Sequence, residues 1–382
     1  MVAIVLITAL IALLFSFNNG SNDAANCIAS VSTTKALPPK VAVGWAAFWI
    51  VAAMFIFDTT VAATMGKGIV AESCIDMYVI LAALLGSVLW LFICTRLGLP
   101  ISASHALIGG LIGPVWFVYG SQYLISKGIV LTVAFIVISP LIGIVMGFFL
   151  KCFFMLVFKN GHAKKTDKGF RRAQLVSSAA FSLGFGGNDG QKTMGIITVL
   201  FATAFASNPD NGVMKLLYGN GREAAVQAVQ ANPDSFWLQT LYGKTFINAV
   251  QAGESAFFVP FWLKVVCYAL IAIGVITGGW KVIRTLGDGL TKLHPVSGFC
   301  AESSGAFTLI MTAFLGIPVS TTHAITGAIM GTGLTRGVRS VKWITAKNIV
   351  WAWVLTIPAV IVVSGCIYLA MVHWFHVPVK VL

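Results

Sequence analysis

An apolar amino-terminal segment is interrupted by Gly20-Ser21-Asn22-Asp23-Ala24-Ala25-Asn26, a run of small and polar residues that contains a single carboxylate. The same signal returns in the second half of the chain as Gly187-Asn188-Asp189-Gly190-Gln191-Lys192-Thr193. Each run places an Asn-Asp pair inside a sequence that is otherwise apolar. An aspartate in such surroundings is expensive to bury and usually has a function. The two runs are therefore the first candidate sites, and their recurrence indicates an internal duplication.

A second motif also occurs twice, and each copy follows one of the Asn-Asp runs. The copies are Gly98-Leu99-Pro100-Ile101-Ser102-Ala103-Ser104-His105 and Gly316-Ile317-Pro318-Val319-Ser320-Thr321-Thr322-His323. Residues 98–113 and 316–331 share seven identities in sixteen positions, where roughly one is expected at average residue usage. We therefore predict that the halves of the chain are duplicates.

The composition places this duplicated chain in a membrane. Of its 382 residues, 58% are apolar and only 10% are charged, whereas soluble proteins carry roughly 25% charged residues. A transmembrane helix needs about 20 mostly apolar residues, and such runs predict full spans near 1–17, 41–57, 77–95, 125–157, 256–279, 296–315 and 344–372. Gly, Pro, Ser and Thr punctuate three further apolar stretches, which predicts broken or re-entrant helices at 99–118, 174–206 and 317–335. The first helix is also expected to break at Asn18–Asp23 and to resume toward Ser32. The sequence thus predicts an all-α polytopic membrane protein with about ten to twelve membrane elements, not a barrel of short strands.

The formal charge of +13 is concentrated in polar loops. Six basic residues lie between 158 and 173, and by the positive-inside rule this linker faces the cytoplasm. No Lys or Arg precedes Lys35, so we expect the N-terminus outside and residues 1–17 to be a membrane helix rather than a signal peptide. Nucleic acid is not an expected partner, because the basic residues are not interleaved with aromatics. The seven cysteines are scattered and lack a Cys-x-x-Cys pair, so they predict neither disulfides nor a metal site.

These signals divide the chain into a first transmembrane repeat (1–157), a basic cytoplasmic linker (158–173) and a second transmembrane repeat (174–382). The second repeat carries a polar insertion near 207–243, with a short helix expected around Glu223 to Ala231. Duplicated halves with interrupted membrane helices are typical of secondary transporters. If an odd number of crossings separates the copies, the repeats have inverted topology and their broken helices and re-entrant hairpins meet near the bilayer midplane.

Breaks in membrane helices indicate what the motifs bind. Half-helix N-termini attract anions, and free carbonyls attract cations. The hairpin motifs gather hydroxyls and backbone N–H groups behind a proline, which predicts a donor-rich cradle for a tetrahedral oxyanion. The residues assigned to this anion site are Ser102, Ala103, Ser104, Ser320, Thr321, Thr322, Asn22, Asn188 and Gln191. The alternative is that Ser and Thr only bond back to carbonyls or to neighbouring helices.

The Asn-Asp runs supply the hard oxygen ligands that small cations prefer. The residues assigned to cations are Asp23, Asn26, Asp189, Asn22 and Asn188, with sodium expected at Asp23 and Asp189. Lys192 supplies either a fixed positive charge or a side chain that reaches an interface.

Four more ionisable residues lie in apolar surroundings. Asp58 and Glu302 are candidate coupling carboxylates, with a purely structural role as the alternative. His105 and His323, one in each hairpin motif, either belong to the site or only bond across helices.

Taken together, the four motifs resemble the duplicated signatures of the inorganic phosphate transporter family, often called PiT. The resemblance covers nearly the whole chain except the insertion. It implies phosphate held between the halves by the Ser/Thr hairpins, with sodium or protons at the Asn-Asp runs. It also implies that Asp58 stands where the family commonly has glutamate and that Glu302 matches a family carboxylate. Three departures are Ala103, which lacks a hydroxyl that many members have, Phe185, where many relatives have a histidine, and Ala29-Ser30, where a Gly-Thr pair is frequent.

The resulting interpretation is a symporter of the inner (cytoplasmic) membrane that imports inorganic phosphate with sodium or protons by alternating access. We expect no cofactor and no enzymatic activity, because no nucleophile-base-acid set accompanies the motifs. The expected partners are phosphate, the coupling ion and the lipid bilayer, and an assembly of identical copies is left open. The alternatives are a sulfate or metal-phosphate carrier of the same fold and, in a different class, an oxyanion channel.

Overall fold

The first half of the chain folds into helices separated by short connections. The computed structural model describes residues 2–254, 256–287 and 289–377. These residues contain no β-strand, only an isolated bridge between Val70 and Leu124. The helices of the first half are α1 (Val2–Thr33), α2 (Pro39–Ala52), α3 (Thr60–Lys67), α4 (Met77–Leu97), α5 (Ala103–Val118) and α6 (Ser126–Val157). The prediction of an all-α protein is confirmed.

The second half has a similar order of helices, with an insertion after its first one. It opens with α7 (Ala163–Ser207), which begins inside the predicted linker. The insertion, predicted near 207–243, continues to Gln251 and holds the short helices α8 (Gly212–Met214), α9 (Asn220–Ala231), α10 (Phe236–Tyr242) and α11 (Lys244–Gln251). The predicted short helix around Glu223 to Ala231 lies within α9. The remaining helices are α12 (Phe261–Thr277), α13 (Trp280–Gly287), α14 (Pro295–Phe314), α15 (Thr321–Leu334) and α16 (Trp343–Phe375).

Several helices are long and apolar enough to cross a membrane. Within the described residues four meet that criterion by themselves, and they are Val2–Thr33, Met77–Leu97, Ser126–Val157 and Trp343–Trp374. The pair α12 and α13 forms a fifth if it is one span, and it is bent by 72° at its break. The sequence-based number of ten to twelve elements also includes shorter apolar helices, such as α5, and the long helices α7 and α14, which carry more polar residues.

The Asn-Asp runs do not break their helices, so the breaks predicted at Asn18–Asp23 and within 174–206 are wrong. Both α1 and α7 continue through them without interruption. In an apolar interior a break would strand backbone N–H and C=O groups, and that cost exceeds the poor helix propensity of Gly, Asn and Asp. The glycines serve packing instead: a Cβ on Gly20 would lie 2.2 Å from the carbonyl oxygen of Ile271 on α12.

The true interruptions are the Gly-x-Pro-x-Ser motifs, as predicted. Gly98 ends α4 with φ +76, and Gly316 follows α14 with φ +67, in the left-handed region that favours glycine. After each proline the chain enters a new helix, and the N-cap residues are Ser102 for α5 and Ser320 for α15. The result is two helical hairpins, α4–α5 and α14–α15.

The two halves of the chain are interlocked. Helix α1 packs on α12, α5 packs on α16, and α6 packs on α15. Matching threonines tie each hairpin to the opposite half: Thr285 Oγ1 donates to the Gly98 carbonyl at 3.0 Å, and Thr64 Oγ1 donates to the Gly316 carbonyl at 2.8 Å. Such paired contacts support the predicted duplication. The repeat boundaries at 157 and 174 stay a prediction.

The two motif-bearing helices, α1 and α7, run antiparallel. Thr34, at the end of α1, donates to Gln174 Oε1 at 2.7 Å, whereas Asn19 Nδ2 donates to Asp189 Oδ2 at 3.3 Å. The residue number falls by fifteen along α1 (34 − 19) and rises by fifteen along α7 (189 − 174) between these two contacts. Inverted repeats require this opposite orientation of equivalent helices. The crossing brings Asp23 and Asp189 to the same level of the molecule.

Candidate functional site

The first Asn-Asp run faces the second hairpin. Thr322 Oγ1 donates to Asp23 Oδ1 at 3.0 Å, and Thr321 Oγ1 donates to Asp23 Oδ2 at 3.2 Å. Asn26, one turn further along α1, donates its amide to Thr322 Oγ1 at 3.0 Å. Because these residues are nearly 300 positions apart in the chain, their contact joins the two halves. The carboxylate of Asp23 is thus held at the start of α15.

The second Asn-Asp run contacts both hairpins through Lys192. Lys192 Nζ contacts Asp189 Oδ1 at 2.5 Å, donates to the Val319 carbonyl at 2.8 Å, and donates to Ser104 Oγ. Both charged side chains of this pair are only 1% exposed. The pair therefore places a buried positive charge between the two hairpins, as one of the two sequence-based alternatives for Lys192 expected.

The two hairpin turns touch each other at this point. Ser104 Oγ donates to the Val319 carbonyl at 3.3 Å, and Thr322 Oγ1 lies 3.1 Å from the Ile101 carbonyl. The rings of His105 and His323 pack edge to face with centroids 4.7 Å apart. Asp23 also lies within electrostatic range of Asp189 and Lys192. One cluster therefore contains both Asn-Asp runs and both hairpin starts.

Ser102 and Ser320 have the same local role in the two hairpins. The Oγ of Ser102 accepts from the His105 backbone N–H at 3.3 Å, and the Oγ of Ser320 accepts from His323 at 3.3 Å. Each serine therefore caps its helix. A capping hydroxyl keeps its own hydrogen, so it can still donate to an anion. Ala103 opens α5 and is 2% exposed, and it can offer an anion only its backbone N–H.

Several buried polar atoms of the motif residues, and of Asn19, have no hydrogen-bond partner among the described residues. They include Asn22 Oδ1, Asn188 Oδ1, Gln191 Nε2, Thr193 Oγ1, His105 Nδ1 and Asn19 Oδ1. Proteins seldom leave buried polar atoms unpaired, because each costs about 1–3 kcal/mol. Unpaired acceptors suit cations and unpaired donors suit anions. The cluster thus has the unpaired donors and acceptors expected of a site that receives polar guests.

Three residues of the predicted anion site use one atom of the side-chain amide in a hydrogen bond and leave the other amide atom unpaired. Asn22 Nδ2 donates to Thr95 Oγ1 at 2.8 Å, and Asn188 Nδ2 donates to the Leu309 carbonyl at 2.7 Å. Gln191 Oε1 accepts from the Ala62 backbone N–H at 3.2 Å. Each bond fixes the direction of the remaining amide atom.

Glu302 lies in a second polar cluster between α1, α7 and α14. Its carboxylate accepts from Ser177 Oγ at 2.5 Å, from Gln174 Nε2 at 3.4 Å and from Ser30 Oγ. Ser30 is seven positions beyond Asp23 on α1, which corresponds to about 10 Å along a helix. Glu302 is therefore placed beside the same pair of motif helices as the main cluster, at a different level.

Sequence reasoning missed the partners that build these clusters. Asn19, Ser30, Gln174 and Ser177 carry no motif of their own. A signal was present, since the polar residues Asn19, Asp23, Asn26 and Ser30 follow one another at spacings of four, three and four, and so line one face of α1.

Asp58 makes its contacts away from the cluster. Its carboxylate accepts from the backbone N–H of Thr59 at 2.6 Å and of Thr245 at 2.9 Å, and from Thr245 Oγ1 at 2.7 Å. Thr245 belongs to α11, at the end of the insertion. The hydrogen bonds of Asp58 thus attach the insertion to the first half of the chain. The sequence had suggested Asp58 as a coupling carboxylate, with a structural role as the alternative.

Comparison with known sequences identifies the family. The profile of the Phosphate transporter family matches residues 19–364, which include both Asn-Asp runs and both hairpins. The chain belongs to the phosphate transporter family. The resemblance inferred from the four motifs is therefore confirmed, and a family of transporters agrees with the expectation that the protein is not an enzyme.

Relatives of this family member extend over nearly its full length. It is 41% identical over 94% of both chains to a protein of Rhizobium meliloti (strain 1021) named "Probable low-affinity inorganic phosphate transporter". It is 35% identical over 91% of both chains to a protein of the same name from Bacillus subtilis (strain 168). A solved structure named "The sodium-dependent phosphate transporter" matches with a TM-score of 0.69 and 25% identity, over 97% of this chain and 99% of that one. The fold of this membrane protein is therefore shared with a solved transporter.

Proposed function

We propose that the protein is a cation-coupled symporter that carries inorganic phosphate across the cytoplasmic membrane by alternating access. Family membership supports phosphate as the substrate, and the sodium-dependent structural neighbour supports sodium as the coupling ion. The observation that carries the proposal is the cluster in which Asp23, Asp189 and Lys192 meet the starts of α5 and α15. It combines fixed charges, hydroxyl donors and unpaired polar atoms at the junction of the two halves.

The burial of this cluster supports alternating access over a channel. Asp23 is 2% exposed, Thr322 is 1% exposed, and Ser104 is 2% exposed. An open oxyanion channel would keep such residues in contact with water. Here the halves must separate on one side or the other before a substrate reaches them.

The charges of the cluster indicate how substrate and ion depend on each other. Two carboxylates and one ammonium leave an excess of negative charge, which repels a phosphate anion. A cation bound beside Asp23, where Asn26 and the two threonines supply oxygens, removes that repulsion. Phosphate then binds at the hydroxyls and N–H groups of the two helix starts. The filled site crosses more readily than a half-filled one, because its charges are offset.

In the second Asn-Asp run, the positive charge beside the aspartate is supplied by the protein itself. Asn26 stands three positions after Asp23, and Lys192 stands three positions after Asp189. The ammonium of Lys192 therefore lies where the first copy has a cation-binding amide, and it is paired with Asp189. In the proposed mechanism Asp189 needs no mobile cation, and the coupling ion binds at Asp23.

Uptake into proteoliposomes tests the proposal. Purified protein should accumulate labelled phosphate against its gradient when an inward sodium or proton gradient is imposed, and excess sulfate should compete weakly. Asp23→Asn should lower the rate about tenfold or more, since losing one member of a buried charged cluster costs about 2 kcal/mol or more. Asp210→Asn, in an exposed surface pair of the insertion, is the matched control. Flux that only runs downhill and ignores both gradients would exclude symport.

A further inference from the structure

A pocket of about 530 Å³ opens beside the basic linker, away from the transport cluster. It lies where the end of α6 and the start of α7 meet α14. Its lining includes Phe154, Phe158, Lys165, Thr166, Phe170 and Phe299. The volume is in the range of sites that hold small organic ligands. Neither the transport proposal nor the motifs account for it.

The floor of this linker pocket is aromatic. Phe154 packs edge to face on Phe170 and on Phe299, with ring centroids 5.5 and 5.3 Å apart. Phe158 packs on Phe170 at 5.4 Å and is itself 44% exposed. Rings that are fixed by mutual packing but remain open on one side offer an apolar surface for a flexible chain. A soluble inorganic anion gains nothing from such a floor.

The rim of the pocket is basic. Lys165 and His162 line it, and both are exposed. The residues 158–173 contain six Lys or Arg and a single acidic residue, Asp167. Asp167 interacts with His294, at the start of α14. The pocket therefore joins an apolar floor to a rim of positive charge.

The pocket is at the level of a membrane surface. Helix α6 has 32 residues, or about 48 Å at 1.5 Å per residue, which exceeds a hydrocarbon core of about 30 Å. Most of its apolar side chains point outward, including Phe149 at 65% and Leu156 at 69% exposed. This outward face suits lipid. The last turns of α6, where the pocket lies, are then expected among the lipid headgroups.

We propose that the linker pocket binds an anionic phospholipid of the leaflet that faces the linker. The phosphate of the headgroup lies at Lys165 and His162, and the glycerol and the upper acyl chain lie on the aromatic floor. Basic pockets beside membrane helices recognise anionic headgroups through this combination. The lipid would tie the linker between the two halves to the membrane surface.

Native mass spectrometry of the full chain in detergent tests the proposal with two added lipids. Dioleoyl phosphatidylglycerol and dioleoyl phosphatidylcholine share acyl chains and differ in headgroup charge. We expect the anionic lipid to bind about fivefold more tightly, as one basic side chain near an anionic surface predicts. Lys165→Gln should remove this preference. Lys164→Gln changes the charge of the neighbouring residue, which is exposed but does not line the pocket, and should leave it intact.

Filling the pocket gives an independent test. Gly169 lines the pocket, and a Cβ there would meet no atom within 4 Å. Gly169→Leu therefore adds an apolar side chain at the pocket without a clash and should lower lipid binding about fivefold or more, because the lipid loses apolar contact area. Gly44→Leu is the matched control, because Gly44 is an exposed position of α2 that also has open space around it and does not line the pocket.

Four results would overturn the proposal. Equal binding of both lipids would exclude recognition of the headgroup. Equal losses for Lys165→Gln and Lys164→Gln would indicate a diffuse basic surface. Unchanged binding to Gly169→Leu would place the lipid elsewhere. Displacement of the anionic lipid by millimolar inorganic phosphate would identify a site for free anions.

Discussion

At the scale of single residues, Lys192 is the side chain that makes the two Asn-Asp runs chemically different. Its ammonium contacts Asp189 at 2.5 Å and also donates to Ser104 of the first hairpin and to the Val319 carbonyl of the second. Its equivalent, Asn26, contacts threonine hydroxyls. The same position of a duplicated motif thus holds a neutral amide in one copy and a paired ammonium in the other.

The change Lys192→Asn should create a sodium site in the second copy. Without the ammonium, Asp189 becomes an uncompensated buried charge, and the new amide recreates the Asn-Asp-x-x-Asn pattern of the first copy. We expect sodium, compared with choline, to raise the melting temperature of this variant by about 2 °C or more above any shift in the original protein. A thermal unfolding assay on purified protein measures this without requiring transport.

Lys192→Met is the matched control, because it removes the charge and offers no cation ligand. It should lose stability and gain no response to sodium. Equal sodium responses in the original protein and in Lys192→Asn would show that Lys192 does not occupy a cation position.

At the scale of secondary structure elements, the insertion is clamped at the joint between α10 and α11. Lys264 on α12 donates to the carbonyls of Thr240 and Leu241 at 3.3 Å, at the end of α10. Asp58 accepts from Thr245 in the first turn of α11. A cation at a helix C-terminus and an anion at a helix N-terminus both stabilise the helix through its dipole. Gly243 lies between them with φ +88, and a Cβ there would collide with Asp58.

Asp58→Ala should release the joint between α10 and α11. The backbone N–H and hydroxyl of Thr245 lose a charged acceptor, and such a hydrogen bond contributes about 1.5–3 kcal/mol. We expect amide hydrogen exchange over residues 236–251 to speed up about tenfold or more, as measured by mass spectrometry. Asp210→Ala removes an exposed surface ion pair of the same insertion and should change exchange little. Lost phosphate uptake with unchanged exchange would instead favour Asp58 as a coupling carboxylate.

At the scale of the whole molecule, α7 carries the linker at one end and the insertion at the other. Its 45 residues extend about 68 Å at 1.5 Å per residue, more than twice the thickness of a hydrocarbon core. The linker and the insertion are therefore expected on opposite sides of the membrane. The basic linker is expected in the cytoplasm by the positive-inside rule, and the insertion is then outside.

Trypsin applied to oriented vesicles should distinguish the two sides. Lys159 lies in the turn before α7 and should be cut in inside-out vesicles only. Lys215 and Arg222 of the insertion should be accessible only in right-side-out vesicles, with peptide mapping as the readout. Cleavage of the linker and the insertion from the same side would contradict this topology.

The sequence by itself determined the membrane class, the two hairpins and the family. Each of these depends on residue type and local order: apolar runs predict burial in lipid, and Gly-x-Pro-x-Ser fixes a turn and a helix cap within a few residues. Helix breaks at the Asn-Asp runs were predicted on the same local grounds and were wrong. Propensity is a weak preference there, whereas unpaired backbone groups in an apolar interior cost several kcal/mol each.

Only the tertiary structure decided which polar residues meet. Asp23 and Thr322 are 299 positions apart, and their contact depends on how α1 crosses the second hairpin. The packing of α1, α7 and α14 likewise brings Ser30, Gln174 and Ser177 to Glu302, and the position of the insertion gives Asp58 its partner. Such contacts follow from the relative placement of helices, which local sequence does not encode. A polar side chain bonds to the residues of whichever helix the fold packs against it.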